Sequence, residues 1–523
     1  MTNDQTSGGR LLRHAPELAV FIIILALLVL CALTFNSYGF TTDEQNGLWR
    51  ASNIIDFYMS GGEDSAELTA IRPENFYGAM ADVLALWLQR LFPALGLDSR
   101  HLVSGLFGVI GVYYTYRLGE HLGGRWVGVA AAAFLALSPM WLGYSYMNLK
   151  DVPFGTALIA SSFYGLRVMG EASPPRWTIL LGLGIWCGAL GTSKLTGILL
   201  LGFCVLVLLV FWLIQNGWLS IRTLVQRAFL CAGVGLVGII IFSIAFWPQL
   251  YLYSPVQTFR AVLQFLNYDP WRGSVLLNGA FFDQDNVPRT YLATYVLITT
   301  PLLALALYIF SIPASLLDRR YAMLGAIALP PAFLAIQWAT EAQVYNGSRQ
   351  FLFIIPFLCV GAGYGLVALS RIGNSMLARY GTLAVFAVFA AWSVYTIASL
   401  FPYQYSAYNL LVGGTKGAEN RYYIDVWRSA EREGLRAIDA LLPDDGKRYR
   451  VYACGSQLNF ERFPRLQPVL DPNQPWDYAL RLPRCSLTNP PGLEVIGEIR
   501  RQGILFAALL KPERAGKVPP DPQ

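Results

Sequence analysis

The sequence predicts an all-helical polytopic membrane domain of about eleven spans followed by a small α/β domain, and three observations carry that reading. The 523 residues are 55% hydrophobic and only 14% charged, with a mean hydropathy of +0.44, well beyond an ordinary soluble composition. Apolar runs of about 20 residues, enough to cross a hydrocarbon core of about 30 Å, recur from Glu17 almost to Leu400. Past Leu400 they stop, and the chain turns polar and mixed in charge. The division that follows is a transmembrane domain, 1–400, whose outer loop one (37–101) carries interfacial helices, and an extracytoplasmic α/β domain, 401–523.

Spans are expected at 17–36, 102–118, 126–146, 152–169, 177–192, 195–214, 228–247, 291–312, 322–339, 351–370 and 380–400. The first follows Arg10, Arg13 and His14 like a secretory signal, but it is about 20 residues long without a small-residue cleavage site, so it reads as an uncleaved span. FYGAMADVLALWLQRLFP (76–93) is apolar enough to cross yet carries Asp82 and Arg90. Positive-inside bias decides its placement. If it lies along the interface as an amphipathic helix, the connectors with Arg117/Arg125, Arg167/Arg176, Arg222/Arg227, Arg319/Arg320 and Arg371/Arg379 all share the side of the N-terminus. That side is then the cytoplasm, and the C-terminal domain lies outside. The net charge of +6 is scattered singly and in pairs between apolar runs, which argues against a nucleic-acid partner.

Polar groups held near a membrane are functional candidates, and on this topology they collect on one face. In TTDEQ (41–45), Thr42 is expected to cap a helix with Gln45 three residues on, placing Asp43 and Glu44 in its first turn. Acids there can merely complement the helix dipole, or a carboxylate can serve as general base toward an acceptor hydroxyl. YSYMNLKDVPF (144–154) brings Lys150 and Asp151 to the next mouth, with Pro153 opening the following helix. GTSKLTG (191–197) leaves Lys194 almost at membrane depth, where an ammonium needs an anion and a lipid phosphate is the obvious one. Arg349, in VYNGSRQFLFIIP (344–356), stands just outside the tenth span. Snorkelling is the structural alternative for each of these cations. Arg72, Arg100, His101 and Tyr345 are further candidate substrate contacts. The aromatic- and amide-rich stretches NYDPWRG (267–273) and NGAFFDQDNVPRTY (278–291) suit a sugar or a packed loop equally.

In the C-terminal domain, 426–442 has helical periodicity, while 450–454, 476–480, 494–499 and 504–510 suit strands. Five cysteines, Cys31, Cys187, Cys204, Cys231 and Cys359, fall in spans as small hydrophobes. Cys454 and Cys485 lie in the domain assigned to an oxidising space, where a disulfide is expected.

Taken in order, the acidic pair Asp43-Glu44, the interfacial segment 76–93, NLKDVPF, VYNGSRQFLF and the aromatic stretch FPYQYSAYNLLVGGTKGAENRYYIDVW (401–427) resemble the polyprenyl-phosphate-sugar-dependent glycosyltransferases of the GT-C fold. These include protein O-mannosyltransferases and lipid A aminoarabinose transferases, and the likeness spans nearly the whole chain. Leu149 departs from the family's Pro, Asn346 and Gln350 from its Asp and His, and His101 from an Arg that the neighbouring Arg100 could replace. Trp476-Asp477-Tyr478 is similar to an oligosaccharyltransferase motif without its flanks, and reads as a strand.

The resemblance implies an inverting single displacement, at the outer face of a bacterial inner membrane, from a polyprenyl monophosphate sugar to a glycan, lipid or protein hydroxyl. Asp43 would be the base, Glu44 and Asp151 would orient acceptor or sugar, and Lys150, Lys194 and Arg349 would bind phosphate. Clusters of Asp and His at metal-ligand spacing are absent from the sequence, so neither a cofactor nor a catalytic metal is expected. A lipid-linked-sugar flippase would share the many spans, but internal repeats and mid-membrane helix breaks are not evident. An O-antigen ligase or polymerase would prefer a pyrophosphate donor.

Overall fold

The computed structural model describes residues 7–512 apart from 65, 70–77, 172, 195, 255, 258–259, 261–272, 373–374, 484, 486–492 and the side chains of 7–13 and 250. Arg72 and most of 267–273 lie outside the described residues. Among the described residues, six helices are long and apolar enough to cross a membrane: His14–Ser37, Gly197–Asn216, Ile221–Phe246, Tyr321–Thr340, Arg349–Leu369 and Met376–Leu400. The expected span 291–312 is not continuous. Its helices Tyr291–Thr299 and Leu302–Leu317 are bent by 109° across Thr300-Pro301, where the proline removes a backbone donor and disfavours helix in the residue before it; counted as one, the pair would be a seventh span. The expected span 126–146 is broken too. Its helix stops at Ala136, and Pro139–Tyr144 restarts after Ser138, whose Oγ accepts from Trp141 N at 3.4 Å.

Ser99–Gly123 and Asp151–Gly170 are long helices whose buried faces include Ser104, Thr115, Thr156, Ser161 and Ser162. Shielded by neighbours, they need not be apolar all round, and small residues let backbones approach closely. A Cβ on Gly363 would come within 2.6 Å of Ala131 N, so any side chain there would push the Ile355–Leu369 and Arg125–Ala136 helices apart. The segment read as interfacial forms the 12-residue helix Met80–Leu91, about 18 Å long at 1.5 Å per residue, too short to cross about 30 Å.

Charged side chains of both signs gather at the two ends of this bundle. At one end Arg125 meets Glu17 at 2.7 Å, Arg117 and Arg167 lie 5.1 and 5.8 Å from the Phe163 ring, and Arg227 donates to Val168 O at 3.1 Å. Asp43, Asp151, Lys194 and Arg349 meet at the other end.

β1 (Ser274–Leu277) and β2 (Ala280–Asp283) form a hairpin that runs into the aromatic- and amide-rich stretch 278–291. Asn278 and Gly279 take φ of 50° and 87°, the left-handed pair of a type I′ turn. The C-terminal sheet contains β3 (Tyr449–Tyr452), β4 (Leu466–Val469), β5 (Tyr478–Arg481), β6 (Leu493–Arg501) and β7 (Ile504–Pro512). Their order is β4-β3-β5-β7-β6, with β3 parallel to β4 and β5 and the other pairings antiparallel. The helix Glu431–Leu441 packs on it through Leu435 and Ile438. Cys454 and Cys485 are disulfide-bonded, their Cα atoms 6.0 Å apart. The buried core continues across Leu400: Tyr403 stacks on Phe506 with centroids 4.5 Å apart, and Tyr405 lies 5.2 Å from Tyr144.

Candidate active site

Loop one begins with the helix Thr42–Met59. Its cap is Thr41 rather than the expected Thr42. Thr41 Oγ1 accepts from Glu44 N at 3.2 Å, and Glu44 Oε2 accepts from Thr41 N at 2.8 Å, closing a capping box. Glu44 therefore turns inward, with Oε1 3.2 Å from His101 Nε2. Asp43, one position earlier, points the other way, its side chain 35% exposed.

Three connectors converge on Asp43. Asn346 and Gly347 take φ of 57° and 74°, turning the chain into the short 3₁₀ helix Arg349–Ile354. The Arg349 guanidinium, only 5% exposed, sits 3.0 Å from Asp43 Oδ2 and 3.6 Å from Asp151 Oδ2. Asp151 opens the helix Asp151–Gly170, and its other oxygen lies 2.5 Å from Lys194 Nζ. Lys194 follows the end of the helix Trp177–Gly191, with its ammonium 4.9 Å from the Phe154 ring centre. The neighbouring hydroxyls do not face it: Thr192 and Ser193 donate back to Gly188 O and Ala189 O, each at 2.7 Å.

Electrostatics follow from this packing. Burial pushes the Asp43 carboxyl up, but Arg349 and Lys150 overcome it and hold the group below its ordinary range, so it is ionised at neutral pH. For Lys150 burial dominates, and the ammonium is lowered to about 8 despite Asp43 and Asp151 nearby. Three cations thus face two carboxylates. A surplus of positive charge among partly buried groups favours an anion.

The other candidates fall elsewhere. Arg100 is buried against Asp82, which also meets Arg50 at 3.5 Å. His101 is enclosed, its Nδ1 3.0 Å from Phe35 O and 3.6 Å from Asp98 Oδ1. Both tie loop one to the helix Ser99–Gly123 rather than joining the cluster. Tyr345 does join it, its ring centre 5.2 Å from the Arg349 guanidinium. Two residues were not singled out from sequence. Asn148 donates to Asp151 Oδ2 at 2.9 Å and accepts from Asp151 N at 2.8 Å, a local turn that NLKD spacing could have signalled. Trp427 covers Arg349 at 4.3 Å, and only its place at the end of the aromatic stretch hinted at it. Trp476-Asp477-Tyr478 leads into β5, with Asp477 Oδ2 accepting from Arg450 N at 2.8 Å. Among the described residues, no group of three or more His, Cys, Asp or Glu gathers as for a metal ion.

An acid–base cluster thus gathers at one end of a helical bundle that, among the described residues, has six helices long and apolar enough to cross a membrane. Residues 82–247, about a third of the chain, match the sequence model of the dolichyl-phosphate-mannose-protein mannosyltransferase family. Comparison with curated proteins finds no match. Among solved structures the chain is similar to ArnT from Cupriavidus metallidurans in the apo state, with a TM-score of 0.54, 15% identity, and 94% of this chain and 97% of that one covered. The same protein bound to undecaprenyl phosphate gives a TM-score of 0.52 and 17% identity, covering 96% and 99%. Residues 82–247 thus carry the likeness to that family, and the chain as a whole shares the fold of ArnT.

Proposed function

We propose that this enzyme transfers a sugar from a polyprenyl monophosphate to an acceptor hydroxyl by one in-line displacement with inversion, at the extracytoplasmic face of the membrane. One observation carries the reading: an ionised carboxylate, Asp43, sits 3.0 Å from the same guanidinium that Asp151 holds beside Lys194. On this reading the base and the cations that would bind phosphate lie together, three cations against two carboxylates. The relative solved with undecaprenyl phosphate is a precedent for such a carrier on this fold.

In the reaction, the acceptor oxygen bonds to the anomeric carbon as its proton passes to Asp43. The bond from that carbon to the phosphate oxygen breaks, and the phosphate keeps the electron pair. Lys194, Lys150 and Arg349 stabilise the charge that develops there. Asp151 and Asn148 hold two of these cations in place. When a donor phosphate draws Arg349 toward itself, Asp43 loses part of the interaction that depresses its basicity, so donor binding makes the base competent. Glu44 contributes by capping the helix that presents Asp43.

The assay is transfer from a synthetic polyprenyl-monophosphate sugar in proteoliposomes. Cleavage of the sugar–phosphate bond with inverted product supports the reading. Translocation of labelled donor without cleavage would overturn it, as would a requirement for a pyrophosphate donor.

Orientation is tested separately. Reporters near Arg222, Arg320 and Arg371 should report cytoplasm, and those near Asp43, Asp151, Asn278 and Asn346 the outside. Periplasmic activity at Arg320 would reverse the assignment.

Lys150 makes the reaction pH-dependent. Donor affinity should fall as pH rises through about 8, where Lys150 loses its proton, and Lys150→Arg should abolish that step. Stability runs the opposite way. Between about 8 and the unfolded lysine's value of about 10.4, the unfolded chain binds a proton that the folded one does not, so this group's contribution to stability rises with pH. Donor titration by fluorescence across pH 7–9 checks the first statement.

A further inference from the structure

Besides placing Trp427 over Arg349, the C-terminal domain grips the segment of chain that delivers Asp43. Asn459, buried in the 3₁₀ turn Gln457–Arg462, accepts from Phe40 N at 2.8 Å and donates to Phe40 O at 3.1 Å. Its amide also donates to Glu431 Oε2 at 2.5 Å, and Glu431 Oε1 accepts from Gly455 N at 3.0 Å. Nearby, Ser456 Oγ donates to Gln45 Oε1 at 3.3 Å. Arg432, from the same helix as Glu431, donates to Tyr38 O at 2.6 Å and to Asp98 at 2.7 and 3.2 Å. A Cβ on Gly39 would collide with Ser429 O. Residues 38–45 are thus fixed on both sides of Asp43 by residues 429–459.

We infer that Asn459 is a positioning residue: by holding the Phe40 backbone through both its N–H and its carbonyl, it sets where the Thr41 cap begins and hence where the Asp43 carboxylate stands. The inference rests on the reading of Asp43 as base. An amide is suited to this task because one side chain supplies a donor and an acceptor in fixed geometry. Alanine at this position leaves the Phe40 peptide and Glu431 without those partners. Contacts that hold the 345–349 connector, by contrast, do not pass through Asn459, so the cations of the pocket keep their places.

The test is a two-by-two set: wild type, Asn459→Ala, Asp43→Asn and the double variant, assayed with saturating acceptor and varied donor. Asn459→Ala should lower kcat by about 10- to 100-fold, the scale of a displaced reacting group, with donor KM within about threefold of wild type, as for a rate effect without lost binding. In the Asp43→Asn background the same change should add nothing, because there is no base left to misplace. Ser456→Ala, which removes only the Gln45 contact, should show a smaller loss of the same kind and stands in if Asn459→Ala does not fold. Wild-type kcat in both Asn459→Ala and Ser456→Ala overturns the inference. An equal fold-loss with and without Asp43 also overturns it, since that is general destabilisation. Wild-type turnover of Asp43→Asn alone removes instead the reading on which the inference rests.

Discussion

An Asp43→Asn enzyme should bind donor about as well as wild type and turn over 10²–10⁴ times more slowly, the range for losing a general base. The substitution keeps shape and the capacity to accept a hydrogen bond from Arg349, which lies 3.0 Å away, but it cannot take a proton. A carboxylate in the first turn of a helix contributes only about 0.3–1 kcal/mol through the dipole, and the Thr41–Glu44 capping box survives the change. A purely structural Asp43 would therefore leave turnover nearly normal. Single-turnover kinetics with purified variants of matched thermal stability separate the two. Full activity in Asp43→Asn would end the general-base assignment.

Lys194→Ala should fail in a different way. Its ammonium lies 2.5 Å from Asp151 Oδ1 and is 17% exposed, against 3% for its partner. In the proposed reaction it meets phosphate in both donor and leaving group. Donor affinity should fall about 10- to 100-fold, as expected for a charge-assisted hydrogen bond of roughly 1.5–3 kcal/mol, and transfer should slow as well. Asp151 is then left with Arg349 and Asn148, so stability drops too; losing one partner of a buried pair costs about 3–5 kcal/mol in full burial, and the partial exposure of Lys194 lowers that figure. Lys194→Arg keeps the charge with different geometry and should recover part of both effects. Isothermal titration with a polyprenyl-phosphate donor is the deciding measurement, and unchanged affinity in Lys194→Ala would refute the phosphate role.

What sequence made legible was periodicity and charge. Four of the five C-terminal strands and the helix after Ser429 fall within a few residues of their expected places, because short apolar runs and helical periodicity are local signals. β4 was missed: Pro468 reads as a strand breaker, and only its position at the sheet edge, where a missing donor is tolerated, allows it. Both helix breaks carried a signal in Pro139 and Pro301, but bilayer-length apolarity outweighed it. The cap was misplaced by one residue because Thr41 and Thr42 are chemically equivalent. What distinguishes Thr41 is tertiary: Glu44, its capping partner, is turned inward with Oε1 3.2 Å from His101 Nε2. Asn459 lies 419 residues from Phe40, a separation at which no local pattern speaks. Lys150, Asp151, Lys194 and Arg349 were recognisable as costly charges near a membrane, whereas their pairing needed the fold.

The surplus positive charge beside Asp43 acts on the end of the catalytic cycle as well as its start. In the proposed reaction the carrier arrives as a phosphodiester with one negative charge and departs as a phosphate monoester carrying about −1.5 to −2 at neutral pH. A pocket of three cations and two carboxylates therefore grips the spent carrier harder than the loaded one. On that reading the same imbalance that would draw the reaction forward would make the discharged lipid a competitor for the site, and the enzyme would have to shed it into the bilayer before it could begin again.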